Sequence, residues 1–190
     1  VKLDDKLNII IPIYGSDEET IIAYVHATPV SREVFEAHFM LISRTFSAVF
    51  AGGLGHVSGP RVASLVMRDI ARRDGDEDGA TAFMNEVRRL SSVLVRDKDG
   101  WTTMLLHEAI DKKRIGTDDV ADVENALVFF IVVSAMHRRQ MRRVLLDGAA
   151  GLWGAQISSS SCTELAASLR TSTATAAIGV TKARASSVPH

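Results

Sequence analysis

Apolar and polar positions change period several times along the chain, and each change marks an element. Leu7 to Tyr14 is an Ile-rich run containing Pro12, and Thr20 to His26 is a second β-branched run. The polar, Gly-containing stretch Gly15 to Glu19 separates them. Two such runs around a short loop predict an antiparallel hairpin. Pro12 has no N–H to give to a ladder, which predicts an edge position for its strand.

After Thr28-Pro29 the period becomes helical. Ser31 suits an N-cap and Glu33 the first turn, where a carboxylate favours the helix dipole. Val34, Phe35, Phe39, Ile42, Phe46, Val49 and Phe50 then form one wide apolar stripe, which Gly52-Gly53 stops. Pro60 suits a first helical position, so a second helix is expected from Gly59-Pro60 with Val62, Leu65, Val66 and Ile70 inward. A charged turn over 72–79 precedes a third helix expected across Ala80 to Val95. The stretch Asp97 to Gly100 is another turn signal, followed by an extended Trp101 to Leu105 and a short helix near Leu106 to Lys113.

Thr117-Asp118-Asp119 reads as the cap and acidic first turn of the strongest helix, reaching about Arg139. Between Ala126 and Met136 it is apolar on nearly every side, the mark of a buried central helix. Val128 to Val133 taken alone resembles a strand; the upstream cap and the total length favour helix. A last helix covers Met141 to Trp153. From Ser158 onward Ser, Thr and Ala dominate, and such a segment buries too little apolar area to offset its ordering entropy. The expected organisation is a mainly α body over 1–157, with a small N-terminal hairpin and a disordered tail over 158–190. One helical turn is expected in that tail at Thr163 to Leu169.

Composition narrows the function classes. Among 190 residues, 46% are hydrophobic, which supports a sizeable core. The net charge of −1 argues against a dedicated nucleic-acid binder, which shows a basic face. Cys162 is the single cysteine, so neither an internal disulfide nor a CxxC zinc site can form, and a reducing cytoplasm suits the chain. Val1 to Lys6 lacks the apolar core of a signal peptide. The longest apolar run falls well short of the ~20 residues of a membrane span, and a soluble protein is expected.

Motifs of catalysis fail on particular residues. Gly53 to Gly59 superficially matches a phosphate loop, but the third fingerprint glycine is Ser58 and no strand precedes it. A helix–helix connector is the plainer reading. His26, His38, His56, His107, His137 and His190 include no pair at the spacing of a helical metal site, and neither HExxH nor GxSxG occurs. Asp118, Asp119, Asp122 and Glu124 have metal-like density, yet they fall where carboxylates stabilise a helix start without a ligand. No catalytic, cofactor or metal residue is assigned. Arg138-Arg139-Gln140-Met141-Arg142-Arg143 is the most basic stretch. Its like charges stack one helical turn apart; a solvated helix end is the plainer reading and an acidic protein partner the alternative, for which Arg138, Arg139, Arg142 and Arg143 are the candidate partner-binding residues. Phe129, Phe130 and Trp153 fit core positions better than exposed anchors.

Several strings taken in order carry a family resemblance. They are Tyr24 to Phe35 (YVHATPVSREVF), Gly59 to Ala63 (GPRVA), Glu86 to Leu90 (EVRRL), Asp122 to Phe130 (DVENALVFF), Ser134 to Arg139 (SAMHRR) and Leu152 to Ser159 (LWGAQISS). This succession resembles the tail assembly chaperones of long-tailed bacteriophages across nearly the whole chain. The acidic turn Asp74 to Gly79 and the Arg142-Arg143 pair depart from it. The resemblance implies a non-enzymatic protein of the host cytoplasm, absent from the finished virion, that binds the tape measure protein and recruits tail tube subunits. It also implies, for many such phages, a longer frameshifted form with a C-terminal extension. It brings no active-site residues, no cofactor and no membrane or nucleic-acid partner, and is compatible with a homo-oligomer. The structural alternative is a minor virion component for tail completion or head–tail joining. A helix-turn-helix regulator around Gly52 to Ile70 is the third class; its loop exceeds the usual turn, and Arg61 and Arg68 give thin phosphate coverage.

Overall fold

The computed structural model describes residues 7–98, 100–137, 139–152 and 154–169. The N-terminal hairpin forms as its pattern predicts. Strand β1 (Asn8–Tyr14) pairs antiparallel with β2 (Ile21–Ala27), from Ile9 opposite Ala27 to Ile13 opposite Ala23. Alternation puts Ile9, Ile11, Ile13, Ala23 and Val25 on one face, where they join the main core.

Helices then follow on that face. Ser31 caps α1 (Arg32–Ala37), its hydroxyl accepting the Val34 amide at 3.4 Å. The single stripe expected up to Phe50 is divided. His38, at φ −112° and ψ 19°, separates α1 from α2 (Phe39–Ala51), and its ring lies edge-on to Phe83 with centroids 5.4 Å apart. Helix α3 (Gly55–Asp74) begins ahead of Gly59-Pro60 and leaves Pro60 inside. At Gly59 this helix packs tightly: a Cβ there would stand 2.7 Å from Phe129 Cε2 and 2.8 Å from Val49 Cγ1. Only a bare backbone lets α3 approach so closely. Gly75, at φ 70°, ends α3, and the Asp76 carboxylate caps α4 (Glu77–Arg89) by accepting the Gly79 amide.

The sheet is larger than the small hairpin expected from the sequence. Strands β3 (Ser91–Asp97) and β4 (Gly100–Leu105) form a second hairpin on β2. Ser91 to Val95 is therefore strand and not the end of the third helix. Val93 stands opposite Val25 and Val95 opposite Ala23; a short continuous apolar run suits helix or buried strand, and the waiting edge of β2 decides. Helices α5 (Leu106–Asp111), α6 (Thr117–Met136) and α7 (Arg139–Gly151) follow. Strand β5 (Gln156–Ser158) then pairs with Asn8 to Ile10, giving the antiparallel order β4-β3-β2-β1-β5. So β1 is internal over its first half. Beyond Ile10 no strand among the described residues flanks it on that side, which is where Pro12 sits.

The boundary read at residue 157 falls inside β5. The chain continues into a helix, α8, over 162–169, which contains the predicted turn at Thr163 to Leu169. Ser161 and Glu164 form a capping box, the Glu164 amide reaching Ser161 Oγ at 3.2 Å and the Ser161 amide reaching Glu164 Oε2 at 2.7 Å. Cys162, Leu165, Ala166 and Leu169 make its less exposed stripe. Ser160 ties the segment to the sheet: its carbonyl accepts from Asn8 Nδ2 and from His26 Nε2, both at 2.9 Å. Ile10 and Leu94 lie outside the main core cluster yet are 5% and 0% exposed, on the sheet face that Ser160 reaches through His26 and Cys162 through Ser92. The rest of the expected tail, 170–190, lies outside the described residues.

Helix α6 is the axis of the body, every residue from Val123 to Ser134 being buried. Phe129 and Phe130 are core, as their spacing suggests. Within this apolar column Glu124 receives Arg68 Nη2 from α3 at 2.7 Å, and Arg88 from α4 through Nε at 2.8 Å and Nη2 at 2.5 Å. Asn125 Oδ1 accepts both the Ser64 amide at 3.0 Å and the Ser64 hydroxyl at 2.7 Å.

Two substitutions test these contacts by urea denaturation. Gly59→Ala should lower stability by about 1–3 kcal/mol through overpacking against Phe129 and Val49. Glu124→Ala should cost about 2 kcal/mol, below the roughly 3–5 of a fully buried pair, because the side chains of Arg68 and Arg88 are 47% and 33% exposed and regain water. Unchanged midpoints would refute the corresponding contact.

Candidate partner-binding groove

Of the arginines in the basic stretch, the structure describes the side chains of Arg142 and Arg143. Arg138 lies outside the described residues, and Arg139 opens α7. Arg142 Nε donates to the His137 carbonyl at 2.7 Å, and the residue lines a cleft of about 490 Å³ with Phe35, Ile131 and Ser134. Arg143 instead pairs with Asp147 along α7, Nε to Oδ2 at 3.5 Å. Trp153 also lies outside the described residues.

The acidic cluster at the start of α6 is divided as well. Glu124 turns inward to Arg68 and Arg88, whereas Asp118, Asp119 and Asp122 turn outward. Two residues of helix separate Asp122 from Glu124, a rotation of about 200°, so the run cannot converge on one ion. Among the described residues no group of three or more His, Cys, Asp or Glu side chains could hold a metal. His26 is engaged by Ser160, His137 Nδ1 lies 2.9 Å from the Val133 carbonyl, and His56 is edge-on to Phe50 and Phe129. These are packing and capping positions.

The outward carboxylates face a groove of about 1290 Å³. One wall is the end of the first hairpin, Ile11 to Gly15 with Glu18 and Ile22. The other combines the starts of α3 and α6 with Leu152. Ile11, Ile13 and Val123, all buried, make an apolar floor. Tyr14, Val57 and Leu152 stand at its lip with 43%, 71% and 60% of their surface exposed. Glu18, Asp118, Asp119 and Asp122 give the lining four carboxylates against Arg61. The volume exceeds the roughly 300–1,000 Å³ of small-molecule clefts. An apolar floor under a charged rim suits the side chains of a peptide segment. Sequence reading placed the aspartates correctly at a helix start, but missed the groove. Its lining comes from four separated stretches, and no local pattern joins them.

The single thiol is poorly placed for chemistry. Burial pushes the Cys162 thiol above its ordinary pKa, opposed in part by the Ser92 hydroxyl, so little thiolate exists at neutral pH. Its reaction with a disulfide reagent at pH 7.5 should be slower than that of a small model thiol; an equal or faster rate would contradict this burial. No helix among the described residues is long and apolar enough to cross a membrane. Compared with known families, curated proteins and solved structures, the chain has no match to a family model, to a curated protein or to a solved structure.

Proposed function

We propose that this chain is a tail assembly chaperone of a long-tailed phage, which holds the tape measure protein and assists assembly of the tail tube. The observation that carries the proposal is the open groove between the first hairpin and the starts of α3 and α6, with an apolar floor and an acidic rim. A chaperone for a long helical client needs a surface that takes amphipathic segments without chemistry. Helix-in-groove recognition supplies this, since a client helix lays its apolar stripe on such a floor. The order of strings from Tyr24 to Ser159 supports the same reading. On this reading the chain acts in the host cytoplasm before the virion is complete, and recruitment of tail tube subunits follows capture of the client.

Co-expression of the chain with a cognate tape measure protein tests the proposal. The chain should retain the client on affinity capture and raise its soluble fraction. Absence of retention in low salt, where charge complementarity is least screened, would refute it. Mass spectrometry of purified particles should find the chain missing, whereas stoichiometric presence would assign it to the virion instead.

A further inference from the structure

We infer that the groove binds a cationic amphipathic helix, one that presents an apolar stripe flanked by Lys or Arg. The inference deepens the chaperone reading by naming the chemistry of the segment that is held, and rests on that reading for the protein that carries it. Three observations converge. The floor is apolar and the lip leaves Val57 and Leu152 largely exposed, so an apolar stripe has somewhere to go. The rim carries Glu18, Asp118, Asp119 and Asp122 against Arg61, in a chain whose net charge is only −1. The groove's lining thus carries an excess of three negative charges, four carboxylates against one guanidinium, which steers a cationic partner to it.

Helical form follows from the strand wall. An extended peptide would have to add to the outer side of β1, but β5 already occupies Asn8 to Ile10. Two residues on, Pro12 has no amide hydrogen and interrupts any ladder built beyond that point. A helix needs nothing from the β1 backbone, because its own hydrogen bonds are internal. Its side chains alone fill the groove.

The full chain, titrated into a fluorescent amphipathic peptide of about five helical turns, tests this by anisotropy. The cationic peptide should bind, weaken as salt rises, and gain helical circular dichroism on binding. A twin with Glu in place of every Lys and Arg, and a scramble that disperses the apolar stripe, should not bind. Glu18→Lys combined with Asp122→Lys, both outside the first turn of α6, should weaken the cationic peptide by about tenfold and admit the acidic twin. Val57→Asp, at an exposed position, should weaken binding without changing the thermal midpoint. The inference is overturned if the scramble binds equally, if the charge-swapped chain keeps its affinity, or if the bound peptide is extended. The two proposals fail separately. A charge-swapped chain that still captures the tape measure protein removes the groove and leaves the chaperone. A wild-type chain that binds the peptide but never the client does the reverse.

Discussion

The position of every other element depends on how α6 is turned about its own axis. A helix that is apolar on all sides packs almost as well after rotation, because hydrophobic burial has no direction. Glu124 and Asn125 remove that freedom. The carboxylate meets Arg68 of α3 and Arg88 of α4, and the amide meets Ser64 one turn away on α3. Moving α6 by one residue would swing both groups through about 100° and bury them without partners. Leaving a buried polar group unpaired costs about 1–3 kcal/mol, more when it is charged. Neutral packing supplies the cohesion of the body, and these few polar bonds select one arrangement of it.

The fixed rotation has a consequence at the surface. With Glu124 held inward, Asp122 and Asp118 must face outward, toward the end of the β1–β2 hairpin. The close approach of α3 at Gly59 brings Val57 and Arg61 to the same opening. The acidic lip and the buried clamp are thus two faces of one helix. A helix that had evolved only to fill the core would need neither.

Much of the local structure was legible. Two β-branched runs around Gly15 to Glu19 specified a hairpin, Ser31 specified a helix start, and the apolar column from Ala126 specified a buried helix. The break at His38 was not legible, since Phe35 and Phe39 keep helical spacing across it and even pack edge to face, 5.6 Å apart. Nor was the strand at Ser91 to Val95, whose residues satisfy a helix as readily as a sheet. The Ser161–Glu164 capping box was a readable signal that compositional bias toward Ser, Thr and Ala concealed.

What the sequence determined by itself is what depends on neighbours within a few residues. Periodicity, caps and turn glycines set most of the helices and the first hairpin, and the scarcity of catalytic spacings was visible in the same way. What only the tertiary structure decided is everything that needs a partner far along the chain. Ser91 to Val95 became strand because β2 offered an edge, and His26 found its partner because the Ser160 carbonyl arrived from the far end of the chain. Glu124 became a clamp because Arg68 and Arg88 arrived from two other helices. The groove belongs to the same class. Its carboxylates were each in view along α6 and the hairpin turn, but their shared opening exists only once the chain has folded.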